Sequence, residues 1–243
     1  ISKTEIEVAQ RAGHVSEHSA YHHGEASLAG TIVGMAQTFV GSNNIALLHP
    51  AGQFGTRLLG GKDAASPRYI FTKLPALTRL LFHPHDDALL EYLEDDGQAI
   101  EPRFYLPILP MCLVNGADGI GTGWSTSVPN FNPRDIIGGL RALIDGTEPA
   151  CLVPWYRGFD GVIAPADSQG SYATYGKIVK VDATTLHISE LPVRKWTQEY
   201  KEQVLEPLLQ GSGDKAGGGE PALLELRENH TDTTVAFTLR FAS

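Results

Sequence analysis

The chain has 243 residues, of which 42% are hydrophobic and 19% charged, with a formal net charge of −9. These values describe an ordinary globular protein of one large or two smaller domains, and no stretch approaches the roughly 20 apolar residues of a membrane-spanning helix. The charge is uneven: residues 1–80 carry seven Lys/Arg against five Asp/Glu, whereas 81–243 carry twelve against twenty-three, so the first part permits contact with phosphate and the acidic remainder mostly does not.

The opening Ile1-Ser2-Lys3-Thr4, with no initiator methionine, predicts an excised piece of a longer protein. Residues 4–12 and 25–40 are expected as helices. In the second, Leu28, Ile32, Met35 and Phe39 recur at three- and four-residue steps, and Gly41-Ser42-Asn43-Asn44 is expected to end it. Glycines between Leu48 and Ser66, flanked by Pro50 and Pro67, predict loops with a short strand pair as a wing. A strand at 69–72 and a helix entered at Pro75 follow. Residues 86–98 read as an acidic, solvated face, and 104–110 as a proline-bracketed hinge. Beyond lie a glycine-rich stretch at 114–127, an amphipathic helix at 133–143, alternating strands at 171–191, a helix at 198–209, a flexible connector at 211–219 and a strand at 233–241. Cys112 and Cys151 show no metal-ligand spacing and read as small packing residues in a reducing compartment. Asn229-His230-Thr231 matches a glycosylation sequon with nothing else to support secretion.

The run Gly60-Gly61-Lys62-Asp63-Ala64-Ala65-Ser66-Pro67-Arg68-Tyr69 places a tyrosine hydroxyl directly after an arginine, behind glycines and small residues. Phenols titrate near about pH 10 and are poor nucleophiles at neutrality. An adjacent guanidinium favours the phenolate and can hold a phosphate oxygen. Most such dipeptides are ordinary surface pairs, so the surroundings must decide. Tyr21-His22-His23-Gly24-Glu25 precedes a helix, where free N–H groups favour an anion; a capped, half-buried histidine pair is the structural alternative. In Gly119-Ile120-Gly121-Thr122-Gly123-Trp124 the spacing is wrong for a nucleotide loop. Its glycines instead flank Ile120, as a projecting wedge or a buried turn residue. His83-Pro84-His85-Asp86-Asp87 is expected to hold no metal, and no Asp-x-Asp-x-Asp cluster occurs, although phosphoryl transfer commonly uses divalent ions.

Taken in order, the Tyr21–Glu25 block, Phe39-Val40-Gly41-Ser42-Asn43-Asn44, Gly52-Gln53-Phe54-Gly55-Thr56-Arg57, residues 60–72, Asn115-Gly116 through Trp124, Val128-Pro129-Asn130-Phe131, and Ile188-Ser189-Glu190-Leu191-Pro192 through Trp196-Thr197 resemble eukaryotic-type DNA topoisomerase II. The resemblance covers nearly the whole chain. The A subunits of bacterial gyrase and topoisomerase IV are close relatives, but Tyr21-His22-His23-Gly24 departs from their usual Tyr-His-Pro-His-Gly. Ala26 stands where some relatives carry methionine.

The resemblance implies an α/β (α+β) fold: a helix-rich, CAP-like winged-helix domain at 1–108 bearing the catalytic tyrosine, then part of an α/β tower domain at 109–243. Tyr69 falls on the family's nucleophile, Arg68 on its neighbouring arginine and His23 on its active-site histidine. His22, Gln53, Lys62 and Ser66 fall where the family contacts DNA, and Ile120 on the residue it wedges between base pairs. The implied parent is an ATP-dependent homodimer acting on double-stranded DNA in the nucleus. Its Mg²⁺-binding Toprim domain and its ATPase domain would lie outside this chain, which is itself expected to bind no metal or cofactor. Two rival readings fit parts of the sequence. A non-catalytic winged-helix DNA-binding module would have no use for Arg68 and Tyr69, and a metallohydrolase rests only on His22, His23, His83 and His85.

Overall fold

The computed structural model describes residues 4–168, 170–211 and 221–242. It is mixed α/β, and its residues fall into two compact units.

The first unit comprises Ile1–Thr38, Ser42–Phe54 and Ala64–Trp155. Strand β1 (Ile6–Glu7) leads directly into helix α1 (Val8–His18), so the helix starts and ends later than the sequence suggests. Helix α2 (Glu25–Ala36) buries Leu28, Ala29, Ile32, Val33 and Ala36, a stripe at helical spacing. It ends well before Phe39. The Asn43 amide donates to the carbonyls of Gly34 and Gln37, at 2.7 and 2.9 Å, satisfying acceptors that a helix end leaves open. Strand β2 (Phe71–Thr72) pairs antiparallel with β1, Ile6 opposite Thr72. Instead of a paired wing, the 48–66 segment contributes a single bridge, Ala51 to Phe71. Val8, Ala12, the α2 stripe, Phe54 and Ile70 form one core.

Helix α3 (Ala76–Leu81) takes Pro75 as its N-cap rather than inside its first turn. A 3-10 turn at Pro84–Leu89 and the hairpin of β3 (Tyr92–Asp95) and β4 (Gln98–Pro102) make the acidic stretch largely exposed, as its composition suggests. A single-turn helix, α4 (Met111–Val114), precedes the hairpin of β5 (Ala117–Gly121) and β6 (Trp124–Val128), and α5 (Pro133–Ile144) follows, capped by the Asn132 side chain on the Arg134 N–H. Leu81, Leu109, Val114 and Ile136 form a second core of this unit. Both cysteines are free and exposed, which corrects the packing role expected of them: in α4 the single turn points Val114 inward and leaves Cys112 outside.

The second unit comprises Phe39–Gly41, Gly55–Asp63 and Tyr156–Ser243. Compactness therefore divides the chain at 155/156, with two short earlier segments assigned to this unit. Strands β7 (Val162–Pro165) and β8 (Tyr172–Tyr175) pair with each other. Strands β9 (Lys177–Lys180) and β10 (Thr185–Glu190) join a four-stranded sheet. Helix α6 (Thr197–Tyr200) passes through a π-helical segment, Lys201–Leu205, into α7 (Glu206–Gln210). Pro207 lacks an N–H and its ring crowds the carbonyl four residues back, which explains the local widening. Strands β11 (Leu223–Glu228) and β12 (Phe237–Phe241) complete the antiparallel sheet in the order β11-β12-β10-β9. Ile188, Leu191, Leu205, Leu223, Val235, Phe237 and Leu239 form its core. Apart from Gly211, the expected connector at 211–219 lies outside the described residues.

Candidate nucleic-acid interface

The segment carrying Arg68 and Tyr69 is fixed by its neighbours in the first unit. A helix N-terminus offers unpaired N–H donors; in α1 these come from Val8 and Ala9, which donate to the carbonyls of Ile70 and Pro67 at 2.9 and 3.1 Å. The Tyr69 N–H closes a turn onto the Ser66 carbonyl, also at 2.9 Å. Ile70 is 1% exposed whereas Tyr69 is 77% exposed. Burying an isoleucine side chain contributes about 1.5–3 kcal/mol, so the core holds Ile70 and turns the tyrosine hydroxyl outward.

The neighbouring strand of the site is attached by backbone. The Ala65 N–H donates to the Gln53 carbonyl at 2.9 Å, and Ala51 and Phe71 exchange two bonds of 3.0 and 2.9 Å. Between them Gly52 sits at φ +120°, where an added Cβ would lie 2.9 Å from Ile70 Cγ2. Glycine is required there both by conformation and by the close approach to the Tyr69 anchor.

His22 and His23 lie just before α2 and are both exposed. The His23 ring meets Tyr21 edge-on, with centroids 5.4 Å apart. The Tyr21 hydroxyl donates to Ser27 Oγ in the first turn of α2, at 3.1 Å. Thus the sequence's half-buried alternative fits Tyr21 rather than the histidines. Tyr21 and Ile70 belong to the same core assembly, which places the histidine pair and the tyrosine segment on one packed unit. Gln53, Ser66, Arg68 and Tyr69 are exposed, and among the described residues no hydrogen bond joins His22, His23 or Arg68 to the Tyr69 hydroxyl. A ligand offering several acceptor oxygens would find His22, His23, Arg68 and Tyr69 uncommitted to one another.

Ile120 lies at the end of the β5–β6 hairpin and is 95% exposed, so the buried-turn alternative is excluded. It pairs with Ser125, while Gly121 pairs with Trp124; alternation along a strand therefore sets Ile120 and the exposed Trp124 on opposite faces. Lys62 is exposed and belongs to the second unit.

Sequence reasoning missed Ile70, the α1 donors and the Tyr21 support of His23, all of which act through tertiary contacts. It also missed a buried network of asparagines. Asn44 donates to the carbonyls of Phe131 and Trp155, both at 3.0 Å, Asn115 exchanges two bonds with Ile45, and Asn130 donates to Ser42. These bonds tie the 42–45 loop to the base of the hairpin. The signal was present in the quoted blocks containing Asn43, Asn44, Asn115 and Asn130, but their partners are long-range.

Among the described residues no group of three or more His, Cys, Asp or Glu side chains could hold a metal ion. His83 Nδ1 accepts the His85 N–H at 3.3 Å, and the two rings pack edge-on, which commits one of the donors a metal would need. These residues do not fit a Mg²⁺ cage. No helix among the described residues is long and apolar enough to cross a membrane.

The family model for the A subunit of DNA gyrase/topoisomerase IV matches residues 1–243. The DNA topoisomerase 2 of Drosophila melanogaster is 58% identical over 240 residues, 99% of this chain and 16% of that protein. The DNA topoisomerase 2-alpha of Homo sapiens is 55% identical over 238 residues, 98% of this chain and 15% of that protein. A crystal structure of the Plasmodium falciparum topoisomerase II DNA-binding, cleavage and re-ligation domain superposes with a TM-score of 0.92 at 47% identity, covering 99% of this chain and 32% of that one. The family model spans the whole chain, and the chain belongs to the family of the DNA gyrase/topoisomerase IV A subunit. Within it the relatives named here are eukaryotic topoisomerases 2, the type indicated by the Tyr21-His22-His23-Gly24 block, and the chain spans about one sixth of their length.

Proposed function

We propose that this chain is the DNA-cleaving part of an ATP-dependent type II DNA topoisomerase, with Tyr69 as its nucleophile. The observation that carries the reading is the exposed Tyr69 hydroxyl on a segment fixed by α1 and by buried Ile70. The Tyr69 oxygen attacks a backbone phosphorus, a new P–O bond to the tyrosine forms and the P–O3′ bond breaks. The phenolic proton is given up to solvent or a nearby base, and the released deoxyribose 3′ oxygen takes one up. The product is a 5′-phosphotyrosyl link. One phosphodiester replaces another, so the step is nearly isoergic and the reverse attack reseals the strand.

Arg68 and His23 would donate to the phosphoryl oxygens as charge builds on them; donors aimed in advance are commonly the largest contribution to such catalysis. His22, Gln53, Lys62 and Ser66 would hold the backbone on either side, and Ile120 would enter a base step and bend the duplex. Mg²⁺ and ATP would be held outside this chain. Two copies, each cutting one strand, would open a gate for a second duplex, relaxing supercoils and separating linked DNA in the nucleus. In this reading the Tyr69-bearing region is the winged-helix domain and the later region the tower.

The test uses the full-length protein, plasmid DNA and Mg²⁺, with denaturation to trap covalent complexes. Tyr69→Phe removes one exposed oxygen, so the circular dichroism spectrum stays unchanged while the protein–DNA adduct disappears. An adduct that persists assigns the chemistry to another residue.

A further inference from the structure

Within the second unit, the loop that displays Lys62 is built as a closed, preformed turn. Asp63 lies next to Lys62, yet both its carboxylate oxygens are taken by Thr56: Oδ1 accepts the Thr56 N–H at 2.8 Å and Oδ2 the Thr56 hydroxyl at 2.5 Å. The same hydroxyl accepts the Leu58 N–H at 3.2 Å, and the Gly61 N–H donates to the Thr56 carbonyl at 2.9 Å. Thr56 is buried, so one residue closes both ends of the 56–63 turn.

The turn is also anchored from below. Arg57, 4% exposed, pairs with Glu190, 3% exposed, and donates to the Leu191 carbonyl at 3.2 Å. The two Glu190 oxygens further accept the N–H groups of Leu191 and Asp160, at 2.8 and 3.1 Å. A buried pair with its remaining hydrogen bonds filled holds one geometry and tolerates no loss of a partner. Trp196 lies so close over Gly60 that an added Cβ would collide with its ring, and the Gln198 N–H donates to the Leu58 carbonyl at 3.1 Å. Lys62 is the exposed cation that this framework presents, and among the described residues no carboxylate pairs with it.

We infer that Asp63, through its clamp on Thr56, is a positioning residue that holds Lys62 for a DNA phosphate and keeps its own carboxylate from neutralising that lysine. The inference rests on the proposed DNA-cleaving role and names a further residue for it. A free Asp63 would do the reverse: it would pair with its neighbour and repel the phosphate.

The test compares Lys62→Ala, Asp63→Ala, Asp63→Asn and the double variant Lys62→Ala/Asp63→Ala in the full-length protein, reading covalent cleavage complex formed per unit time on a short duplex. Asp63→Ala lowers it roughly tenfold, the scale expected when one charge-assisted hydrogen bond is removed. Asp63→Asn keeps an acceptor for the Thr56 N–H and a donor for its oxygen, and recovers activity to within about twofold. The double variant is no worse than Lys62→Ala alone, because residues acting through one interaction are not additive. If Asp63→Ala does not fold, Thr56→Val removes only the hydroxyl arm of the clamp, and its loss likewise vanishes in the Lys62→Ala background.

Equal activity of the Ala and Asn variants would mean that only charge matters. Multiplying losses would mean a general structural role, and a silent Lys62→Ala would remove the phosphate contact itself; each overturns the inference. Tyr69→Phe run in parallel separates these outcomes from failure of the cleavage reading, since that reading falls only if the adduct survives the loss of the tyrosine.

Discussion

Tyr69 and Ile70 are neighbours in the chain and occupy opposite environments, one 77% exposed and the other 1%. The reactive hydroxyl is positioned by the residue that follows it. Ile70→Ala leaves a cavity beneath the segment and is expected to cost about 2–5 kcal/mol, read by chemical denaturation. Gly52→Ala attacks the same anchor from the other side. At φ +120° and 2.9 Å from Ile70, an alanine strains the backbone and pushes the isoleucine, for an expected loss of about 1–3 kcal/mol and a lower cleavage rate; unchanged stability would show that the strand has room to yield. Arg68→Lys keeps the charge but loses the planar fork, and is expected to lower the cleavage rate by about 10- to 100-fold while leaving the melting temperature in place. Of these residues, Arg68 and Tyr69 were legible in the sequence because their chemistry is local. Ile70 and Gly52 were not, since a two-residue strand carries no periodicity from which burial can be read.

At the level of elements, the glycine-rich stretch between Val114 and Ser127 was readable as a tight turn carrying an apolar residue, but the register that separates Ile120 from Trp124 required the strand pairing. The exposure of Ile120 makes a clean experiment possible. A side chain that touches so little of its own chain can be removed at a cost within about 0.5 kcal/mol, so a change in DNA geometry reports on DNA. Ile120→Ala in the full-length protein is expected to reduce bending of a short duplex, measured by end-to-end energy transfer; unchanged transfer would make the residue a bystander. The periodicity of α2 was legible and its end was not. Phe39 continues the helical spacing, but the helix stops at Ala36, where carbonyls are taken by the distant Asn43 amide. The helix expected at 198–209 forms, but its Lys201–Leu205 stretch widens to π-helix just ahead of Pro207. Local pattern announces an element; long-range partners and missing donors set its limits.

At the scale of the whole molecule, the units interleave in sequence. Lys62 and Tyr69 stand seven positions apart and belong to different units, which no composition shift announces. The charge distribution was more informative: a chain of net −9 keeps a small positive balance in residues 1–80, where all but one of the expected DNA-facing residues lie. Few phosphate contacts imply a modest salt slope. Lys62→Ala is expected to weaken DNA binding uniformly across sequences and to reduce the slope of log affinity against log salt by about 1, measured by fluorescence anisotropy over a salt series. A slope that does not change would remove Lys62 from the interface.

In the proposed reaction Tyr69 becomes covalently joined to the 5′ end of a broken DNA strand. Trapping the full-length protein on a radiolabelled duplex, digesting both components and sequencing the nucleotide-bearing peptide by mass spectrometry tests it most directly. The expected product is a nucleotide linked through its 5′ phosphate to the tyrosine of the Ser66-Pro67-Arg68-Tyr69 peptide. A 3′ linkage, or a nucleotide on any other residue, would contradict it.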